Sequence, residues 1–134
     1  MRAVTRVLDA YSLLAYFQGE SGQEKMMEII RSAEDSGRLL LLSTVNWGEV
    51  FYATLRRAGA ERAQRLAHLI STLPIEVVPA DLGLARQAAV FKAAKKMSYA
   101  DCFAAALAKL HKAELVTGDK EFKQVESEVK VLWI

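Results

Sequence analysis

Four carboxylates stand out by where they fall: Asp9 in VLDAYS, Glu49 in NWGEV, Asp101 in SYADC and Asp119 in VTGDK. Each has an ordinary explanation alone. Ser98 to Asp101 and Asn46 to Glu49 both have the spacing of a capping box, in which an acid at the third helical position bonds back to the cap. Asp119 follows a glycine in a turn-like TGD, and Asp9 ends an apolar run where it could cap the next helix. Together they pose an electrostatic problem. Two carboxylates about 5 Å apart repel by roughly 3 kcal/mol at an effective dielectric of 20, so four around one pocket cost on the order of 10 kcal/mol unless compensated. A divalent cation is the natural compensation, and ligands that are all carboxylate oxygens select hard ions such as Mg2+ or Mn2+. Zinc is disfavoured, because His68 and His111 fall in helical contexts without partners and no Cys or His ligand spacing occurs.

The four acids share a pocket only if the elements that carry them end at one edge. The apolar run from Val4 to Leu8 reads as a buried strand, followed by a helix start near Ser12 to Phe17 with Ser12 as a cap. Glu24 to Ser36 is amphipathic, with Met27, Ile30 and Ala33 expected inward and Gly37 past its end. Arg38 to Ser43 (RLLLLS) is a strand apolar throughout, as one covered on both faces should be. Helices are expected from Val45 to about Ala58 and from Glu61 to Leu73, then a strand from Ile75 to Val78. Asp81 caps a helix through about Lys96, and Ser98 opens another to about Lys112. A strand from Glu114 to Thr117, a helical turn in DKEFKQV and a last strand from Val129 to Ile134 complete the chain.

Strands separated by helical patterns imply crossovers and a parallel sheet between helix layers, a three-layer α/β/α fold with a mostly parallel central sheet. In such sheets ligands bind beyond the carboxyl ends of the strands. Asp9, Glu49 and Asp119 all fall at that edge. Asp101 reaches it if the helix before it returns there.

The 134 residues and 52% apolar content suit one domain, 1–134, with a single filled core. The longest candidate linkers, QGESGQ and RAGAER, are turn-length, and no repeat occurs. Asp9 interrupts the N-terminal apolar run early, and nothing approaches the roughly 18 apolar residues of a membrane span. A single cysteine allows no intrachain disulfide and fits a reducing compartment, so a soluble cytoplasmic protein is expected. Cys102 itself reads as a small buried hydrophobe. The net charge of +2 is too small to imply a polyanionic partner by itself. Its basic residues cluster in Arg56, Arg57, Arg62 and Arg65 and in Lys92, Lys95 and Lys96, the latter just upstream of Asp101. Either cluster is explained by a solvated helix face, yet positive charge beside an acidic site is what holding phosphates requires. No G-x-x-x-x-G-K or G-x-G-x-x-G occurs, Tyr11 occupies the second acid of a D-x-D phosphotransfer pattern, and the acid pair of receiver domains is missing.

The segments VLDAYSLLAYF, STVNWGEVFYATL, MSYADCFAAALAKL and LVTGDKEF closely resemble, in order and spacing, the PIN-domain ribonucleases, particularly the VapC-type toxins of toxin–antitoxin pairs. The resemblance spans nearly the whole chain. It implies a PIN-like nuclease domain that hydrolyses RNA phosphodiesters with metal-activated water, Mg2+ or Mn2+ as cofactor, a cognate antitoxin as partner and a homodimer. By the same resemblance Asp9, Glu49, Asp101 and Asp119 are catalytic, with Asp9, Asp101 and Asp119 holding the metal and Glu49 binding it or orienting water. Ser12 and Thr117 match hydroxyl positions that orient carboxylates, Thr117 in support of the last acid. Glu121 stands where many relatives carry an aspartate, which makes it a candidate outer ligand. Tyr11, Phe17, Trp47, Phe51 and Tyr52 read as core or interface residues, with Trp47 and Tyr52 candidates for a dimer contact. Two alternatives remain open: a non-catalytic RNA- or partner-binding domain on the same fold, and a housekeeping RNA-processing nuclease.

Overall fold

The structure, a computed structural model, describes residues 4–134. Five strands form one sheet: β1 (Arg6–Leu8), β2 (Leu40–Ser43), β3 (Ile75–Val78), β4 (Glu114–Thr117) and β5 (Val131–Trp133). Their order is β3-β2-β1-β4-β5 and every pairing is parallel, with Leu8 opposite Val116 and Val7 opposite Leu41. The helices are α1 (Ala10–Gln18), α2 (Gln23–Ser36), α3 (Thr44–Ala58), α4 (Ala60–Thr72), α5 (Leu82–Ala94) and α6 (Tyr99–His111), and a 3-10 helix spans Lys120–Val125.

The central strands are apolar at consecutive positions because both sheet faces are covered. Val7, Leu41 and Leu115 point into one core with Phe91 of α5, Leu107 of α6 and Phe122 of the 3-10 helix. Leu8, Leu42 and Val116, their immediate neighbours in sequence, point into the other with Leu13 of α1, Ile30 of α2, Val50 of α3 and Ile70 of α4. This alternation is the period of two that a strand imposes, and it sorts the helices into two layers around the sheet. The alanines of α6 from Ala104 to Ala106 and Ala108 are fully buried, so small side chains let this helix lie close between α5 and the sheet.

Several expectations change. The first, second and last strands are shorter than expected, Arg6–Leu8, Leu40–Ser43 and Val131–Trp133, with Val4 and Leu39 exposed, and the sheet divides the single core expected into two. On α2 it is Met26 that is buried, with Ile30 and Ala33, while Met27 is exposed. The i, i+4, i+7 spacing of 26, 30 and 33 keeps to one stripe of a 3.6-residue helix, which 27, 30 and 33 do not. Ser12 does not open α1; Asp9 does. Among the described residues no helix is long and apolar enough to cross a membrane.

Candidate active site

The strand order reverses between β1 and β4, the place where an open parallel sheet leaves a crevice at its carboxyl edge. Asp9 follows β1 immediately. Its Oδ1 accepts from the Ser12 N–H at 2.8 Å, which caps α1, and its Oδ2 accepts from the Thr117 hydroxyl at the end of β4. The carboxyl is only 1% exposed. Burial therefore pushes its pKa up to about 7, against the hydrogen bonds from Thr117 and Ser12, with the charge of Asp101 adding to the rise. The Ser12 hydroxyl donates at 2.9 Å to the backbone carbonyl of Asp9, so Ser12 orients the carboxylate chiefly through its own N–H.

Thr117 also serves the acid that follows it. Its hydroxyl oxygen accepts from the Asp119 N–H at 3.0 Å, and the Asp119 carboxylate in turn accepts from the Glu121 N–H at 3.0 Å, capping the 3-10 helix. Thr117 thus supports the last acid through that acid's backbone N–H, in line with the sequence expectation, and in addition donates to the first. Between them, Gly118 meets the ring of Tyr11 so closely that a Cβ would collide with it. Glycine here lets α1 press its Tyr11 onto the loop that presents Asp119.

Asp101 arrives from the other side, in the first turn of α6. Ser98 caps that helix by accepting from the Asp101 N–H at 3.1 Å, but among the described residues no bond returns from the Asp101 carboxylate to the Ser98 N–H. Burial and then the charges of Glu49 and Asp119 push the pKa of Asp101 up to about 6, with a smaller contribution from Glu121, against a hydrogen bond from Ser98. Asp101, Asp119 and Glu121 each offer an oxygen within 4.8 Å of the others. Asp101 is therefore the hub: it couples to Asp9, Glu49, Asp119 and Glu121.

Glu49 lies on the second turn of α3 and its carboxyl is raised mainly by burial, against a hydrogen bond from Asn46. Here the capping-box explanation does not hold. The cap of α3 is Ser43, which accepts from the Asn46 N–H at 3.1 Å, and Asn46 is a fully buried residue inside the helix. Its side-chain amide donates to Glu49 Oε1 at 2.9 Å and to the Ala100 carbonyl of α6 at 3.0 Å, and its oxygen accepts from the Ser43 hydroxyl at 2.7 Å. Sequence reading missed this residue because its spacing to Glu49 matches a cap.

Among the described residues no Lys, Arg or His lies within ion-pair distance of Asp9, Glu49, Asp101, Asp119 or Glu121, whereas Glu114 sits between Arg6 at 3.2 Å and Lys130 at 3.0 Å and is held below the usual carboxylate range. Converging, uncompensated, all-oxygen donors fit a hard divalent cation held by Asp101 and Asp119, with Glu121 at its exposed side.

The basic clusters divide. The Lys92 ammonium donates to the Met97 carbonyl at 2.8 Å and closes the turn before α6, and Lys95 pairs with Glu128 at 3.6 Å. Among the described residues Lys96 is held by its backbone alone, which exchanges hydrogen bonds with the Gln124 side chain at 2.9 and 3.2 Å. Arg57, Arg62 and Arg65 line a hollow of about 350 Å3 between α1, α3 and α4 that includes none of the acids above, and Arg56 lies over the Tyr52 ring. Tyr11 and Tyr52 are exposed and so lie outside the core, and Phe17, Trp47 and Phe51 are half-buried, the latter two stacked at 5.2 Å. His68 and His111 are exposed. Cys102 is buried, and burial pushes its thiol up, which keeps it inert.

The sequence matches the PIN domain family over residues 6–128. No curated protein matches it. Among solved structures it is similar to a toxin–antitoxin complex from Klebsiella pneumoniae, with TM-score 0.73, 19% identity and 96% of each chain covered. It is similar to VapC20, a sarcin–ricin loop cleaving toxin of Mycobacterium tuberculosis, with TM-score 0.72 and 16% identity over 90% of this chain and 95% of that one. A DNA-bound VapBC from Salmonella typhimurium gives TM-score 0.74 and 14% identity over 97% and 98%. At these identities the likeness is one of fold.

Proposed function

The chain belongs to the PIN domain family, and from that premise we propose that it is a single-domain, divalent-metal-dependent ribonuclease that serves as the toxin of a VapBC-type pair. The observation that carries the reading is the approach of Asp119 and Glu121 to within 4.8 Å of Asp101 at the carboxyl edge of the sheet, with Asp9 and Glu49 near enough for Asp101 to exchange charge repulsion with them and no neutralising cation among the described residues. Asp9, Asp101 and Asp119 would hold Mg2+ or Mn2+, with Glu49 and Glu121 as further ligands. When bound, the ion lowers the pKa of a water and offsets charge developing on the phosphate. Thr117 and Ser12 fix the Asp9 carboxylate, Ser98 seats Asp101 at the helix start, and Glu49 orients the attacking water and receives its proton. Water as the nucleophile leaves a 5′-phosphate and a 3′-hydroxyl.

The toxin reading rests on the fold shared with toxin–antitoxin structures and takes an antitoxin, in the same cytoplasm, as its partner. Exposed Tyr52 and half-buried Trp47 are the surface proposed for a homodimer. Incubation of single-stranded and hairpin RNAs with the purified protein tests the reading: cleavage in Mg2+ or Mn2+, loss of cleavage on chelation, and 5′-phosphorylated products are expected. RNA binding without cleavage in either ion would favour the non-catalytic alternative. Cleavage without growth arrest on expression, or arrest that no neighbouring small protein relieves, would favour RNA processing.

A further inference from the structure

Asn46 is an unusual residue to find inside a helix, where asparagine is disfavoured and a buried amide is costly unless all its groups are paired. It is 0% exposed and fully paired, through bonds that reach three elements: Ser43 at the end of β2, Glu49 on α3 and Ala100 on α6. The orientation of the amide follows from its partners. A carboxylate oxygen and a backbone carbonyl only accept, so both face the NH2 group, while the Ser43 hydroxyl donates to the oxygen.

The bond to Ala100 is not a rescue of an orphan. The carbonyls of a helix's first turn are taken up within the helix, where only the last four lack partners. A second bond to Ala100 therefore uses the remaining lone pair, and its effect is to fix α6 against α3 one residue before Asp101. The other N–H of the same amide holds the Glu49 carboxylate. We infer that Asn46 is a positioning residue that sets the separation and aim of Glu49 and Asp101, acting as a rigid two-pronged spacer between the two helices that carry them. The inference rests on the metal-dependent reading of the acidic site and adds to it the residue that holds two of its acids in register.

Manganese titrations followed by thermal shift, which need no RNA, test it in wild type, Asn46→Ala, Glu49→Ala and the double variant. Partners that orient ligands are typically worth 10–100-fold in metal affinity, so Asn46→Ala is expected to weaken Mn2+ binding about 10-fold or more. In the Glu49→Ala background the same change should cost markedly less, because one prong has lost its target. A purely structural asparagine lowers the melting temperature without metal yet leaves the Mn2+ affinity unchanged; that result, or full additivity with Glu49→Ala, overturns the inference. If Asn46→Ala does not fold, Asn46→Thr keeps one donor and should give an intermediate loss, with wild-type affinity again overturning it. A wild-type protein that Mn2+ does not stabilise overturns the metal reading itself, and the spacer role with it.

Discussion

The Thr117 hydroxyl donates to the Asp9 carboxylate across 108 positions of sequence, joining the ends of β1 and β4 at the point where the strand order reverses. A buried carboxylate that receives a hydroxyl proton gains most when it is ionised, since hydrogen bonds to charged groups contribute about 1.5–3 kcal/mol against about 1 for neutral pairs. Thr117→Val keeps the shape and strand preference of the side chain and removes the donor to Asp9 and, equally at both pH values, the acceptor of the Asp119 N–H. It should destabilise the metal-free protein by ~2 kcal/mol at pH 8, where Asp9 is charged, and by clearly less at pH 5. Urea denaturation at the two pH values decides; equal losses would mean that Thr117 does not serve the Asp9 charge.

Asp9 itself sets a pH dependence opposite in sign to that of a salt-bridged acid. Its folded pKa, about 7, lies above the unfolded 3.8, so between these values the folded state binds the extra proton and stability falls as pH rises. The rise from 3.8 to about 7 corresponds to at most ~4 kcal/mol, and the loss is complete by about pH 8. Asp101 and Glu49, also raised, add to the same slope. Glu114 and Glu128 shift down, but their gain is complete once the unfolded carboxylates have titrated, near 4.5. Metal-free protein should therefore melt progressively lower from pH 5 to pH 8, and Asp9→Asn should flatten that fall.

The sequence carried the acids well and their supports poorly, for a physical reason. Asp9, Glu49 and Asp119 follow strands or strand–helix turns, so topology alone sends them to one edge, whereas Asp101 depended on the helix before it returning there, which spacing does not show. What spacing could not distinguish is a cap from a tether: Asn46 to Glu49 has the interval of a capping box, yet the cap is Ser43 and the amide spans 54 positions to Ala100. Likewise the family resemblance gave Thr117 to the last acid, which its hydroxyl oxygen does support, but nothing in the sequence showed that the same hydroxyl donates to Asp9. Glu121 stood in the sequence as a candidate outer ligand, and the turn of the 3-10 helix brings it, exposed, beside Asp101 and Asp119. Met26 and Met27 are chemically identical neighbours, and the one stripe that Met26 shares with Ile30 and Ala33 selects between them.

Of the three lysines before α6, only Lys96 has an ammonium with no acceptor among the described residues. Lys96→Ala should weaken binding of many RNAs alike and lower the slope of log affinity against log salt by about 0.7, the contribution of one neutralised phosphate on a single strand. Lys95→Ala should instead cost at most ~1 kcal/mol of stability through its partly exposed pair with Glu128 and leave the salt slope nearly unchanged. Binding measured from 50 to 200 mM salt separates the two, and an unchanged slope for Lys96→Ala would return all three lysines to a solvated or structural role.

Asp101→Asn separates a metal-binding hub from a helix cap. Asparagine is nearly isosteric, and the bond that anchors α6 runs from the residue's backbone N–H to Ser98 Oγ, which the substitution leaves in place. If the carboxylate had only a structural part, its loss would cost at most about 1 kcal/mol and leave RNA cleavage within a few fold. As the hub of five acids it behaves otherwise. Removing its charge relieves repulsion from Glu49 and Asp119, so the metal-free variant should be as stable as wild type or more so above pH 6, where the native carboxyl is ionised. With one of the acids that hold the ion gone, millimolar Mg2+ or Mn2+ should raise its melting temperature less than it does for wild type, because stabilisation by mass action follows affinity. RNA cleavage should fall about 100-fold or more, a loss of roughly 3 kcal/mol in the transition state. A variant that is destabilised without metal, keeps the full Mg2+ response and still cleaves RNA at near wild-type rate would remove Asp101 from the site.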